Sequence, residues 1–183
     1  MAEPLADHII SHLDQAAEWY HRLILVVAPA STGKTAVLRS IHARTHAPLL
    51  DLNFELSRRL LDLTERQRAL QLPRLLSVLV AQPLSYGVEP SPATRPAVEP
   101  GMASLNTTQA EVILLDNIEV LFDVSLRQDP LRLLLGLSRR KTIIATWSGT
   151  IEDGYLLYAA PDHLEYRRYP ISDFLAVSPE PAS

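Results

Sequence analysis

One stretch, residues 28–35, constrains what this chain can fold into more than any other. Its sequence, Ala-Pro-Ala-Ser-Thr-Gly-Lys-Thr, fits the pattern G-x-x-x-x-G-K-[ST] with Ala28 in place of the first glycine. The apolar run 23–27 before it predicts a buried parallel strand, and helical spacing of apolar residues continues from Lys34 to about Arg44. A strand, a loop and a helix in this order direct backbone N–H groups and the positive end of the helix dipole at one point. The stretch therefore predicts a phosphate-binding loop.

The pattern also assigns a role to each part of this loop. Backbone N–H groups of residues 31–35 would surround the α- and β-phosphates of a nucleotide, Lys34 would reach the β- and γ-phosphates, and the Thr35 hydroxyl would bind Mg²⁺. Alanine at position 28 fits the turn out of the strand provided that its φ is negative. The predicted nucleotide-binding residues are Ala28, Pro29, Ala30, Ser31, Thr32, Gly33, Lys34 and Thr35.

A second motif occupies residues 111–116, where an apolar run ends in Asp116. The run predicts a central parallel strand, and open α/β sheets bind ligands at the carboxyl ends of such strands. This is the Walker B pattern, in which the aspartate holds Mg²⁺. Apolar strands that end in aspartate are common, so the motif is weak alone and strong beside the 28–35 loop. We expect Mg²⁺ to be held by Thr35 and Asp116.

Composition narrows the class of protein. At 183 residues the chain suits a single domain, 1–183, and its net charge of −4 argues against a protein that coats nucleic acid by charge alone. DNA contact through a local patch such as residues 139–141 stays open. The absence of cysteine excludes disulfides and thiolate zinc sites. Without a signal-peptide pattern or an apolar run long enough for a membrane span, a soluble, cytoplasmic protein is expected.

The chain before the second motif is predicted to be mainly helical. Residues 4–20 predict one helix, in which His8 and His12 have metal-compatible spacing but no third ligand, so solvated histidines are the better interpretation. Predicted next are a strand at 48–53, Asn53 as an N-cap, and two or three short helices over 54–82 with a capping box at 64–67 and Pro73 opening a helix. Five arginines in these helices form either a nucleic-acid patch or, more simply, a solvated face: Arg58, Arg59, Arg66, Arg68 and Arg74.

Residues 83–110 differ from the rest of the chain in composition, because proline, glycine and small residues recur there without helical or strand periodicity. They predict a flexible insertion, which either binds a partner or is simply disordered.

Beyond Asp116 the sequence predicts helices at 118–124 and 129–138, the second with Asp129 as N-cap and Pro130 in its first turn. The remaining predicted strands are 142–147, 155–158 and 163–169.

These features together resemble the ASCE branch of P-loop NTPases, which includes the AAA+ ATPases. The resemblance implies an α/β fold with three αβα layers and a mainly parallel five-stranded sheet in the order 5-1-4-3-2, here without a helical lid. It also places Thr146 and Ser148 where many such ATPases sense the γ-phosphate. Four phrases look more specifically like the BrxF family of type 3 BREX phage-defence systems: LDNIE (115–119), DPLRLL (129–134), LSRR (137–140) and ATWSG (145–149). That likeness implies an anti-phage component acting alongside a DNA methyltransferase and other large partners.

Two departures from the AAA+ pattern bear on catalysis. The catalytic glutamate expected directly after Asp116 is replaced by Asn117, which can orient water but cannot take its proton. Glu119 is then either the base or a surface acid. Arg139 and Arg140 either act as an arginine finger on a neighbouring subunit, an effect of ~10³–10⁵ in rate, or interact with the C-terminus of their own helix.

The function expected from the sequence is slow, Mg²⁺-dependent hydrolysis of ATP to ADP and phosphate, assisted by homo-oligomerisation. A nucleotide-locked adaptor with negligible turnover that recruits defence proteins is the alternative, and a small-molecule kinase is a third. Guanine specificity is not expected, because no Asn-Lys-x-Asp motif occurs. The predicted catalytic residues are Lys34, Asp116, Asn117, Glu119, Arg139, Arg140 and Thr146.

Overall fold

The computed structural model describes residues 2–82 and 112–179. The predicted insertion 83–110, together with Glu111, lies outside the described residues. The described helices are α1 (Ala2–Ser11), α2 (Leu13–Ala16), α3 (Lys34–Thr45), α4 (Leu52–Leu60), α5 (Glu65–Ala81) and α6 (Pro130–Ser138), with 3₁₀ helices at Ile118–Phe122 and Val124–Leu126. The strands are β1 (Leu23–Ala28), β2 (Leu49–Asp51), β3 (Val112–Asp116), β4 (Thr142–Glu152), β5 (Tyr155–Tyr158), β6 (Arg167–Pro170) and β7 (Leu175–Val177). None of the described helices is long and apolar enough to cross a membrane.

The strands form one seven-stranded sheet in which β2, β3, β4, β1 and β7 lie side by side in that order. These five strands are parallel, whereas β5 and β6 extend β4 as antiparallel neighbours. The predicted five strands in the order 5-1-4-3-2 therefore differ from the structure in number and numbering. The fifth strand cannot lie parallel to β1, because the short turn at Asp153-Gly154 folds it straight back on β4. The chain reaches the free edge of β1 only with its seventh strand.

Helices cover both faces of the sheet, as the alternation of side chains along β1 shows. Leu23, Leu25 and Val27 belong to one apolar core, which includes side chains of α4, α5 and α6. Ile24 and Val26 belong to the other, which includes side chains of α1, α2 and α3. Strands buried on both faces require mainly apolar sequence, and this is why β1, the first four residues of β3 and residues 143–145 of β4 are apolar. The α/β fold is compatible with three αβα layers.

The predicted single helix over 4–20 is wrong at His12. The Ser11 hydroxyl donates to the His8 carbonyl oxygen at 2.7 Å, and Nδ1 of His12 lies 2.8 Å from the same oxygen. Side chains that bond the backbone in this way compete with the helical ladder. Helix α1 ends at Ser11, the short α2 follows, and Tyr20, the last residue of the predicted helix, lies outside both and is 69% exposed.

Proline 73 does not begin a helix as predicted but lies inside α5. Because proline has no N–H, it cannot bond the carbonyl of Ala69, four residues earlier. The side-chain amide of Gln128 donates to that carbonyl instead, at 2.8 Å. The predicted capping box at the start of α5 is confirmed, with Thr64 and Gln67 bonding each other's backbone N–H groups.

Other boundaries moved by a few residues for local reasons. The N-cap of α4 is Asp51 rather than Asn53, because the Asp51 carboxylate accepts the N–H of Phe54 at 2.9 Å. Residues 118–124 form 3₁₀ turns rather than the predicted helix, and β6 covers 167–170 rather than 163–169. The predicted N-cap at Asp129 is confirmed by its bond to the N–H of Arg132 at 2.9 Å.

The β4–β5 hairpin allows a sharp test at Gly149. A Cβ added there would overlap the backbone oxygen of Leu157, which also accepts the Trp147 indole N–H at 2.9 Å. Since backbone on the paired strand cannot yield easily, Gly149→Ala should cost about 1–3 kcal/mol and lower Tm by roughly 3–9 °C. The control is Gly136→Ala, where an added Cβ meets nothing within 4 Å. Equal Tm values for the two variants would contradict the described pairing.

Candidate active site

Strand register brings the predicted site residues to one edge of the sheet. Asp51 pairs with Asp116 across β2 and β3, and Leu115 pairs with Ala145, so Asp116 lies beside Thr146. In the next strand, β1, the partner of Thr146 is Val26. Asp51 and Asp116 end their strands, and Thr146 is level with Asp116, so these side chains lie at the carboxyl edge of the parallel strands, which is where open α/β sheets bind ligands.

The backbone of the 28–35 loop accounts for its departure from the glycine pattern. Ala28 is the last residue of β1 and is not among the described residues with positive φ, so the expectation that alanine fits there is confirmed. Positive φ occurs instead at Ser31 (63°) and Gly33 (88°). At position 33 an added Cβ would meet open space, so backbone conformation rather than crowding favours glycine.

Lys34 begins α3 and folds back over the loop that precedes it. Its Nζ donates to the carbonyl oxygens of Ala28, at 3.0 Å, and Pro29, at 2.7 Å, and the residue is only 8% exposed. Burial lowers the pKa of Lys34 from its ordinary value, while the negative charges of Glu119 and Asp116 act to raise it. The Lys34 cation thus bonds the loop carbonyls and interacts electrostatically with both carboxylates.

Backbone N–H donors at the start of α3 lie next to the Lys34 residue. The first N–H groups of an α-helix have no acceptor within the helix, and those of α3 begin at Lys34. Thr35 is half-buried in the first turn of α3, and the Thr32 hydroxyl donates to the Pro29 carbonyl at 2.5 Å, which braces the loop. Together with the Lys34 ammonium, these groups suit the oxygens of a phosphate chain.

Asp116 is 6% exposed, and its Oδ1 atom accepts two hydrogen bonds of 3.0 Å, from the Thr146 hydroxyl and the Asn117 N–H. Thr146 is itself 1% exposed, so its hydroxyl is committed to the aspartate. The Oδ2 atom accepts no hydrogen bond from the described part of the chain and is left for another partner. A carboxylate oxygen and the Thr35 hydroxyl are hard oxygen ligands, so these residues fit Mg²⁺.

Asn117 faces a different partner from the one the sequence suggested. It has left-handed backbone, with φ of 53°, and its side-chain amide donates to Oδ2 of Asp51 at 2.8 Å. Asp51 uses its other oxygen to cap α4. The asparagine thus ties the end of β3 to the end of β2. Asp51 is absent from the site residues predicted from the sequence, although an aspartate that ends the short strand β2 was a usable signal.

Glu119 is the carboxylate that the fold directs toward the loop. It is half-buried in the first 3₁₀ helix, and the Ser148 hydroxyl donates to it. Glu119 lines a cleft of about 630 Å³ with Pro29 and Ala30. Burial raises the pKa of Tyr158 to about 12, with the charges of Glu165 and Glu119 adding to the shift. Glu119 is therefore part of the cleft beside the loop.

The structure does not bring Arg139 and Arg140 to this site. They follow α6 and precede Thr142, the first residue of β4, so they lie at the amino edge of the sheet. The strand from Thr142 to Ser148 separates the two edges by roughly 20 Å. The Arg139 guanidinium lies 5.0 Å from the centre of the Tyr20 ring. Any catalytic role of these arginines would have to be in a neighbouring subunit.

Contacts of the arginines in α4 and α5 favour a solvated helical face over a nucleic-acid patch. The Arg59 guanidinium pairs with the Glu55 carboxylate, and Arg58 lies 5.5 Å from the centre of the Phe54 ring. Arg68 donates to the Leu63 carbonyl at 2.9 Å.

Comparisons of the chain with protein-family models, with curated proteins and with solved structures gave no match.

The bond between Thr146 and Asp116 can be measured by a double-mutant cycle. Hydrogen bonds to charged groups contribute about 1.5–3 kcal/mol, so Thr146→Val should lower the free energy of unfolding by that amount. In an Asp116→Ala background the same change should cost almost nothing, because the hydroxyl has already lost its acceptor. Urea unfolding of the four proteins gives both values. Additive losses would show that the two side chains do not interact.

Proposed function

We propose that this protein binds Mg·ATP at the 28–35 loop and hydrolyses it slowly to ADP and phosphate. One observation carries the proposal. The buried Lys34 ammonium, at the start of α3, bonds the loop carbonyls and interacts electrostatically with two carboxylates, Asp116 at the end of β3 and Glu119 in the 3₁₀ helix that follows. Its hydrogen bonds within the described chain go to two neutral carbonyls, so its charge is available to pair with phosphate oxygens, and Mg²⁺ would offset the two carboxylates.

Binding would change the partners of Lys34. Its Nζ would exchange the carbonyls of Ala28 and Pro29 for β- and γ-phosphate oxygens, while N–H groups of the loop and of α3 would bond the other phosphates. Thr35 and the Oδ2 atom of Asp116 would hold Mg²⁺. The metal ion would supply neutralisation of the charge that develops on the phosphates.

Glu119 is the better candidate for the base that activates water. It lies in the cleft beside the loop, whereas the Asn117 amide is bonded to Asp51. An amide also cannot accept the proton that water must lose. Thr146 would act only through Asp116. Its buried hydroxyl donates its one proton to the Asp116 carboxylate and so fixes the orientation of that carboxylate. Arg139 and Arg140 would add charge only in a homo-oligomer, from a neighbouring copy.

A second candidate is a nucleotide-locked adaptor with negligible turnover. Asn117 favours it, because the residue directly after Asp116 is not a carboxylate and links two strands instead. In either case the likeness to the BrxF family supports a place in bacterial phage defence, in the cytoplasm, beside other proteins of such a system.

The experiment that tests the proposal is ATP turnover with Mg²⁺ for wild type, Glu119→Gln and a control, Glu152→Gln. Glu152 is an exposed carboxylate at the end of β4 that accepts the Thr150 hydroxyl at 3.0 Å. Loss of a general base costs about 10²–10⁴ in rate. Glu119→Gln should therefore lower turnover at least a hundredfold and leave ATP affinity within about threefold, while Glu152→Gln should match wild type.

Each other outcome has a definite meaning. An unchanged rate in Glu119→Gln would exclude Glu119 as the base. Tight ATP binding by wild type with a rate near zero at every protein concentration would favour the adaptor. A rate per subunit that rises with concentration, as mass in solution rises, would support assistance from arginines of a neighbouring copy.

A further inference from the structure

A cleft between α5 and α6 lies apart from the candidate active site and is lined by apolar and cationic side chains. Its volume is about 680 Å³. Its apolar lining includes Leu76 and Val80 of α5 and Leu133 and Leu137 of α6. The first two are buried and the last two half-buried, so the floor of the cleft is apolar and continuous with the core.

Four cationic side chains line the same cleft, at both ends of α6. Arg132 is in its first turn, and Arg139, Arg140 and Lys141 follow its last turn. Seven residues of helix separate Arg132 from Arg139, which is roughly 10 Å along the axis. Among the described residues that line the cleft there is no aspartate or glutamate. This local positive charge contrasts with the net charge of −4 of the whole chain.

Gly136 is the second, independent observation. It lies in the last turn of α6, is exposed, lines the cleft, and has no described atom within 4 Å of the position that a Cβ would occupy. Its φ is not positive, so nothing in the backbone requires glycine. Glycine within a helix is less stable than alanine, and packing within the described chain does not explain it. A bare backbone facing an open cleft suits the close approach of another chain.

We propose that the α5–α6 cleft binds an amphipathic helix of a protein partner, with apolar side chains on one stripe and acidic residues about two turns apart. The apolar stripe would occupy the floor made by Leu76, Val80, Leu133 and Leu137. The acidic residues would pair with Arg132 at one end and the 139–141 cluster at the other. Gly136 would allow the two helices to come close together.

The apolar floor favours a peptide over nucleic acid. A nucleic-acid backbone is bound by cations along a continuous track, and the net negative charge of this chain would repel a long polyanion. Here the cations stand at the two ends of an apolar groove, which is the layout of a site for a helix with matching ends.

The probe is a fluorescein-labelled helical peptide of about 18 residues, long enough to hold a helix, with leucines at i, i+3, i+4 and i+7 and glutamates seven residues apart. Fluorescence anisotropy should give a micromolar Kd with the full-length protein. Arg132→Glu should weaken binding at least tenfold. Gly136→Ala should weaken peptide binding several-fold and at the same time raise Tm. A purely structural role of the glycine would not lower the affinity while raising the stability.

Four results would overturn the proposal. Equal binding of a peptide with lysine in place of glutamate would remove the charge match, and no binding of the glutamate peptide would remove the site itself. Tighter binding of a 20-base-pair DNA duplex, lost in Arg132→Glu, would make the cleft a nucleic-acid site. Stronger peptide binding after replacement of residues 83–110 by a short glycine-serine linker would identify the chain's own segment, which carries Glu89 and Glu99, as the occupant.

Discussion

The buried ammonium of Lys34 is the constraint on which the candidate site depends. A cation that is 8% exposed must be compensated nearby, because burial of an unpaired charge is costly. In this fold the compensation comes from two loop carbonyls and from two carboxylates, Asp116 and Glu119. The loop curls over the side chain so that its carbonyls reach the ammonium, and β4 alone separates β3, which carries Asp116, from β1. Loop shape and the positions of the two acids together compensate the buried charge.

At the carboxyl edge of the sheet, side-chain hydrogen bonds as well as burial fix the positions of the carboxylates. Thr146 fixes Asp116, Ser148 bonds Glu119, and Asn117 connects β3 to Asp51 at the start of α4. The proposed base, Glu119, thus lies two positions beyond Asn117, where the resemblance to AAA+ proteins placed the catalytic glutamate. An asparagine here has a structural use that a glutamate in the same place could not serve, because two carboxylates would repel each other where the amide donates to Asp51.

Much of this arrangement was predictable because it is local in sequence. The strand, loop and helix around Lys34, the capping box at Thr64 and the N-cap at Asp129 are encoded within a few residues. The errors came from contacts that no local pattern contains. Pro73 remains inside a helix because Gln128, distant in sequence, bonds the carbonyl that proline leaves free, and β7 rather than the fifth strand borders β1 because of a two-residue turn. The bond between Asn117 and Asp51 likewise joins residues far apart in the chain.

Calorimetric titration of ATP with Mg²⁺ into wild type and Lys34→Ala tests whether the 28–35 loop binds nucleotide. Lys34 makes charge-assisted contacts in the proposed complex, which contribute about 1.5–3 kcal/mol, or roughly a ten- to hundredfold change in Kd. We expect one ATP bound per chain by wild type and a loss of at least tenfold in affinity in the variant, with its unfolding still cooperative. Equal affinities in the two proteins, or no binding by wild type, would contradict the assignment of the 28–35 loop as a nucleotide site.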